Sequence, residues 1–380
     1  MTVTVNEPHT SEWPGRKAFS VAGTYLNCAS RHPLPTTSTK RLAAYAGFLG
    51  ELACSQEIAR KRDEVRDLFA TLVAASSNEI AIVPSTTYAE NLVVAALGLV
   101  RDRAHIVTDE LHFSGSLAMY RNLQEAGCEV TILAAKGGTI PLSDMEAALT
   151  AGARFVAVSA TSSRNGHEYD LAALSELAHR HGALVYADII QTAGASPIDL
   201  KLAGVDFAGC GAYKWLMGDM GLGFLYVREG HHACLAPPVG GGEQFDNASG
   251  RPRRRTGAAG LFEVGTVAAS VLEALLVSLP ALIEIGPAQV AEARQPVLRK
   301  IRHAGTALGL RATTPQQSRS PILAFEGEAI TPALLQGLAA EHISVAGRAG
   351  WLRISVSTFN DEADIDHLAA TIERCLQGSR

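Results

Sequence analysis

Three polar features stand at the ends of β-rich runs, and each is of a type that does chemistry. The first is Leu184-Val185-Tyr186-Ala187-Asp188, with Gln191 three residues further on. A lone carboxylate after a buried strand is costly, so it needs a partner: the N-terminus of a helix, a metal ion, or the protonated ring nitrogen of a bound cofactor. In the third case the carboxylate keeps the nitrogen protonated, and the charged ring withdraws electrons from a conjugated carbon. The second feature runs from Val205 to Trp215 and carries Lys214 among small and aromatic residues. Burial lowers a lysine's pKa and frees its amine to form a Schiff base; a surface lysine in a loop is the alternative. The third is Pro84-Ser85-Thr86-Thr87-Tyr88, a passage from strand to helix through hydroxyl residues. Helix N-terminal amides and hydroxyls there receive a phosphate, or the hydroxyls simply cap the helix.

The elements that must position these residues follow from hydrophobic periodicity. Strands are expected at 80–83, 104–108, 129–133, 155–159, 184–187, 205–210 and 223–227. Helices are expected between them at 87–99, 115–126, 143–149 and 171–181. The strand runs are mostly apolar and not alternating, as in strands buried on both faces, so the unit is α/β with a mainly parallel sheet. Ligands of such sheets bind beyond the carboxyl ends of the strands, where all three features lie.

From Leu235 to Gly260 the glycines, prolines and the basic run Arg251–Arg255 predict a long loop. Two long helices follow, then strand and helix signals at 322–325, 332–340, 352–356 and 361–375. The expected division is a large α/β domain over residues 21–266 and a small α+β domain built from 1–20 and 267–380.

The bulk numbers narrow the class. The chain has 380 residues, 47% hydrophobic and 19% charged, which suits a large buried core in two packed units. Its formal charge of −5 argues against a dedicated nucleic-acid binder, and the basic run reads as a solvated or dimer-contact loop. Six scattered cysteines without a Cys-x-x-Cys pair indicate neither a zinc site nor a disulfide framework, so a cytoplasmic protein is expected. The N-terminus has no apolar core, and the apolar stretch from Val267 to Ile285 contains Glu273, Pro280 and Glu284; neither a signal peptide nor a membrane span is expected. His179, His181, His231 and His232 lack further ligands at metal spacing and read as exposed polar residues. Gly221-x-Gly223 precedes a strand and is no dinucleotide fingerprint.

Taken together and in order, these motifs resemble the class V aminotransferase family of fold-type I pyridoxal-phosphate (PLP) enzymes. The likeness begins at Tyr25-Leu26-Asn27 and runs through Ser85-Thr86-Thr87, Asn91, Asp188-x-x-Gln191, Gly204 to Phe207 and Tyr213-Lys214. It ends at Phe262 to Thr266 and Leu352-Arg353-Ile354-Ser355. The resemblance implies that Lys214 forms the Schiff base with the cofactor and then acts as base at the substrate's α-carbon. It further implies that Asp188 pairs with the pyridine nitrogen, Gln191 hydrogen-bonds the phenolic oxygen, and Thr86 and Thr87 hold the phosphate with help from Tyr213. Arg353 is the expected clamp for the substrate carboxylate, with Asn27 nearby. Ser162 is expected near the phenolic oxygen or the substrate. Gly265 and Thr266 are expected to reach the phosphate of a neighbouring subunit in a homodimer with shared sites. For the ring against the cofactor, the resemblance points to Phe113 ahead of His112.

Two departures bear on the reaction. The stretch Val345–Trp351 lacks the cysteine that a cysteine desulfurase needs, and Gly211 replaces a phosphate-holding serine of the family. The expected activity is a lyase on an amino acid or amino-acid conjugate, working through an external aldimine and quinonoid by β- or γ-elimination, with carbon–sulfur cleavage foremost. Transamination and epimerisation are the alternatives from the same intermediate, and a catalytically inactive binding module is the remote one.

Overall fold

The computed structural model describes residues 15–47, 55–235, 238–241, 244 and 258–377. The basic run Arg251–Arg255, most of the loop around it and residues 1–14 lie outside the described residues.

In chain order the first half contains β1 (Thr24–Tyr25), α1 (Thr36–Gly47), α2 (Ser55–Leu72), β2 (Ile80–Val83), α3 (Thr86–Ala96), β3 (His105–Asp109), α4 (Ser114–Glu125) and β4 (Glu129–Leu133). Then come α5 (Leu142–Thr150), β5 (Phe155–Ser159), α6 (Leu171–Arg180), β6 (Leu184–Asp188), α7 (Leu200–Ala203), β7 (Phe207–Gly211) and β8 (Gly223–Val227). The seven main strands form one sheet in the order β2-β8-β7-β6-β5-β3-β4. Only β8 runs antiparallel to its neighbours, so β2, β3, β5, β6 and β7 all end at the same edge.

The apolar runs become strands because both faces are covered. On one side Val107, Val156, Val185, Ala208 and Phe224 join a core with Phe69 of α2 and Leu275 of α8 (Ala269–Ile285). On the other, Ile106, Phe155, Tyr186 and Phe207 pack with Leu92 and Val93 of α3. The backbone of the sheet is also pinned by a buried acid. Asp206 accepts from the Val185 amide at 2.8 Å, and His179 and His231 meet its two oxygens at 2.8 and 2.7 Å. Those two histidines, expected to be exposed polar residues, are half-buried partners of a carboxylate that burial would otherwise penalise.

The second unit contains α9 (Pro287–Ala307), β9 (Arg311–Ala312), β10 (Ile322–Glu326), α10 (Pro332–Ala340), β11 (Ile343–Ser344), β12 (Ala346–Arg348), β13 (Trp351–Ser355) and α11 (Glu362–Gln377). Its sheet is antiparallel in the order β12-β13-β10-β9, over a core that includes Phe325, Leu352, Ile354 and Leu368. Two contacts differ from the expected division at residues 21 and 266. Strand β1 pairs in parallel with β11 of the second unit, and α8 buries Val271, Leu272, Leu275 and Leu279 in the core of the first. Arg16 reaches Asp364 at 2.9 Å, which ties the start of the described chain to α11.

Among the described residues no single helix is long and apolar enough to cross a membrane. Helices α8 and α9 together pass such a test, but they meet at 80°, and α8 is packed in the core.

Candidate functional site

The common carboxyl edge of the sheet brings the three features together. Asp188 ends β6, Lys214 follows β7, and Thr86 opens α3 directly after β2. Asp188 is 3% exposed and Lys214 is 6% exposed. Burial pulls the Lys214 amine down to about 8, against the raising effect of Asp188 and with the help of the Arg353 charge. Burial raises the Asp188 carboxyl, while the His112 charge, the Ile190 amide and Lys214 pull it back. A lysine and an aspartate thus share one desolvated place, each moderating the other's shift.

Several groups in this place lack a protein partner. The Thr86 hydroxyl is buried and unpartnered at the start of an eleven-residue helix, while Ser85 takes the capping role and accepts from the Tyr88 amide at 3.1 Å. A Cβ on Gly211 would come within 3.2 Å of the Thr86 hydroxyl and 3.1 Å of the Tyr213 ring. The glycine that departs from the family's serine is therefore packed closely against the two residues expected at the phosphate and against Ile190, at 2.9 Å, with no room for a side chain of its own. An anion at the start of α3 meets helix amides and an otherwise orphaned donor. Thr87 is exposed, and its carbonyl accepts from Asn91 at 2.8 Å.

Arg353 is the second group here with an unpartnered donor. It is 8% exposed, its Nε has no partner, and its terminal nitrogens donate to the Ser163 carbonyl, Asn27 Oδ1 and Ser30 Oγ at 2.8, 3.3 and 2.6 Å. No carboxylate pairs with it among the described residues, and burial lowers it to about 10. Asn27 orients the guanidinium and is fixed by a bridge to Ser355. A buried guanidinium oriented by neutral groups is ready for an anionic ligand. Beside it, a cleft of about 470 Å³ opens between the two units, lined by Glu110, Arg164, Asn165, Thr313 and Trp351 among others.

Three expectations are modified by the geometry. Gln191 is near but largely engaged: Oε1 accepts from Trp215 Nε1 at 2.8 Å and Nε2 donates to the Ala29 carbonyl at 2.9 Å, which leaves one N–H. The Ser162 hydroxyl donates to the Leu111 carbonyl at 2.7 Å and accepts from the Arg164 amide in the turn after β5. Phe113 caps α4, is 38% exposed, and lies over Gly115. It is His112 that the fold brings to Asp188. Its Nδ1 meets Ser159 Oγ at 2.8 Å, and Ser159 is the register partner of Asp188 on the adjacent strand.

Gly265 and Thr266 are exposed at the end of a loop anchored by Glu263, which accepts from the Ile82 amide and from Arg66 at 2.9 and 2.8 Å. Glu90, Ser159 and Trp215 were not foreseen as parts of the site. Glu90 had a signal: with Thr86, Ala89 and Val93 it falls on the buried stripe of α3, where a carboxylate is out of place.

The family described as "Aminotransferase class-V" matches residues 48–368. An "Uncharacterized aminotransferase YcbU" of Bacillus subtilis is 27% identical over 319 residues, 82% of this chain and 83% of that protein. A "Cysteine desulfurase" of Klebsiella pneumoniae is 28% identical over 342 residues, 84% of each chain. Among solved structures, a complex of the cystine C–S lyase C-DES with cysteine persulfide superposes with a TM-score of 0.83 at 22% identity, covering 93% of this chain and 97% of that one. The likeness establishes the fold as fold-type I of the PLP-dependent enzymes.

Proposed function

We propose that this chain, which belongs to the class-V aminotransferase family of PLP-dependent enzymes, is a lyase that eliminates a group from Cβ or Cγ of an amino acid or amino-acid conjugate, with a carbon–sulfur bond as the bond broken. The observation that carries the reading is Arg353, a buried guanidinium that, among the described residues, has an unpartnered Nε and no carboxylate of its own, and that lies close enough to Lys214 to depress its amine.

Thr86, Tyr213 and the first turn of α3 would hold the cofactor's phosphate, and Asp188 its ring nitrogen. His112 replaces Phe113 as the ring neighbouring the cofactor in this reading, because it is the one tied to the strand end beside Asp188. When bound, the cofactor supplies an electron sink that acidifies the substrate's α-carbon.

The rest is the work of the chain. Arg353, held by Asn27 and Ser30, grips the substrate's α-carboxylate and sets which Cα bond faces Lys214. The Lys214 amine, lowered to about 8, is neutral far more often than an ordinary lysine and in that form takes the Cα proton at Nζ. The leaving side chain occupies the cleft lined by Glu110, Arg164, Asn165 and Trp351. The turn between β12 and β13 carries no thiol, which supports release of the sulfur fragment as free product and not as an enzyme-bound persulfide. The reading includes a cytoplasmic homodimer in which the exposed Gly265 and Thr266 of one subunit complete the phosphate site of the other.

A panel of amino acids and S-substituted cysteines, scored by cofactor absorbance and by product, tests the proposal. Keto acid and ammonia released together from a thioether substrate, without an added keto acid, is the expected result. Accumulation of the aminated cofactor, with turnover only when a keto acid is supplied, would identify a transaminase and overturn it.

A further inference from the structure

Behind the site lies a buried acid that the mechanism above does not use. Glu90 of α3 makes three side-chain hydrogen bonds: it accepts from Ser116 at 2.5 Å and from Tyr120 at 2.6 Å, and it meets Nε2 of His112 at 3.0 Å. Glu90 is 1% exposed and His112 3%. Ser116 and Tyr120 have one side-chain hydrogen each and both give it to Glu90. A buried acid that already accepts two hydroxyl bonds and lies against an imidazole nitrogen is favoured as the carboxylate, with His112 first among the influences that lower it against burial, and a buried carboxylate needs a cation. His112 is the only one of its three partners that can carry a positive charge.

We propose that Glu90 is a positioning residue that holds His112 as an imidazolium, and that this cation in turn keeps Asp188 ionised. The proposal rests on the reading of Asp188 as the partner of the cofactor's ring nitrogen, and it adds a device by which the protein sets the charge of that partner.

The spacing supports it. His112 bridges Glu90 at Nε2 and Ser159 at Nδ1, and Ser159 stands opposite Asp188 on the neighbouring strand. Glu90, His112, Asp188 and Lys214 therefore form a row of alternating charge across the carboxyl edge of the sheet. The other titratable groups that face it are known. Asp109 of β3 is occupied by the Leu111 amide and the Tyr169 hydroxyl, and its charge also favours the imidazolium. Tyr120 and Tyr186 are phenols that burial, chiefly, keeps neutral. Cys210 is likewise held as a thiol by burial beside Asp188. His112 is raised against the effect of burial by Glu90 first, then by Asp188 and Asp109. For Asp188, His112 heads the influences that oppose burial, while the direct repulsion from Glu90 comes last. Neutralising Glu90 removes a weak repulsion and forfeits a stronger attraction, so the Asp188 carboxyl must rise.

The test is nuclear magnetic resonance of the holoenzyme carrying 13C-labelled histidine, with the His112 signal identified by its loss in His112→Gln. In the wild type the ring stays protonated well above pH 6.5. In Glu90→Gln its midpoint falls by a unit or more, and the acid limb of the kcat/KM profile moves to higher pH. Glu90→Asp, which keeps the charge, restores the midpoint at least in part. A wild-type His112 that titrates at or below pH 6.5, or a midpoint unchanged in Glu90→Gln, overturns the proposal. The wild-type titration decides alone if Glu90→Gln does not fold. The resonance reports on the ring whether or not PLP is present, so a protein that binds no PLP would defeat the cofactor reading without affecting this measurement.

Discussion

The indole N–H of Trp215 donates to the side-chain oxygen of Gln191 at 2.8 Å, and so joins the residue after Lys214 to the turn after Asp188. The two residues that would meet opposite ends of the cofactor ring are thereby held at a fixed separation by a bond that neither of them makes. Trp215→Phe leaves a buried carbonyl without its donor, at a cost of about 1–3 kcal/mol. Urea unfolding should show that loss, and adding Gln191→Leu should recover part of it because both polar partners are then gone. A Trp215→Phe midpoint equal to wild type would mean the bond contributes nothing.

Thr86→Val should separate cofactor binding from folding. The hydroxyl has no protein partner, so the cofactor-free variant should be at least as stable as wild type. A lost hydrogen bond to a charged group is worth about 1.5–3 kcal/mol, roughly a tenfold to hundredfold rise in the Kd for PLP. Equilibrium titration of the cofactor-free protein measures it directly.

Arg353→Lys keeps the charge but not the planar fork. Loss of one charge-assisted bond, again about 1.5–3 kcal/mol, should raise KM by about one to two orders of magnitude. The kcat value should fall less, and an unchanged KM would remove Arg353 from the carboxylate site.

Lys214 makes cofactor capture depend on pH. Its amine has a pKa of about 8, so the rate at which cofactor-free protein takes up PLP should rise with pH through that value and level off above it. Stability follows the same group. Between about 8 in the folded chain and 10.5 in the unfolded one, the unfolded state binds more protons, so this lysine's contribution to stability rises with pH across that window. Lys214→Ala should abolish borohydride-fixable cofactor, lower turnover by at least roughly 10²–10⁴-fold, and flatten the alkaline stability slope of the cofactor-free protein.

His32 gives the protein an acid limit. It is buried between the Pro33 carbonyl, at 2.7 Å, and Ser357, also at 2.7 Å, and burial lowers it to about 4. The unfolded chain protonates this ring at 6.5, so from about 6.5 down to about 4 the unfolded state binds the extra proton and stability falls with pH. His32→Gln should unfold with a shallower dependence over that range in urea titrations at fixed pH. An identical slope would mean His32 is protonated in the folded state.

Much of this protein was legible without coordinates. The strand runs at 80–83, 129–133, 155–159 and 223–227 fall where expected; for all but the edge run at 129–133, four or five apolar residues bounded by turns have few other ways to hide both faces. Asp188, Lys214 and Thr86 were visible for a related reason: each is a polar residue placed just where an apolar strand ends. Less could be read of the helices before Ile80, α1 and α2, for which no element was foreseen. Their packing against α8, more than two hundred residues later, explains their stability better than any local pattern.

What tertiary structure alone decided is partnership. The sequence favours Phe113 over its neighbour His112; that His112 is the ring that meets Glu90 and Ser159, contributed by α3 and β5, is a fact of the tertiary structure. The sequence could not show that Gln191 is engaged by Trp215, that Ser162 reaches the Leu111 carbonyl, or that β1 pairs with β11 some three hundred residues away. Hydrophobic patterning is a local property, set by how each side chain partitions from water. Charge pairing inside a protein is not local, because the cost of a buried ion is settled by whichever group the fold brings within hydrogen-bonding distance.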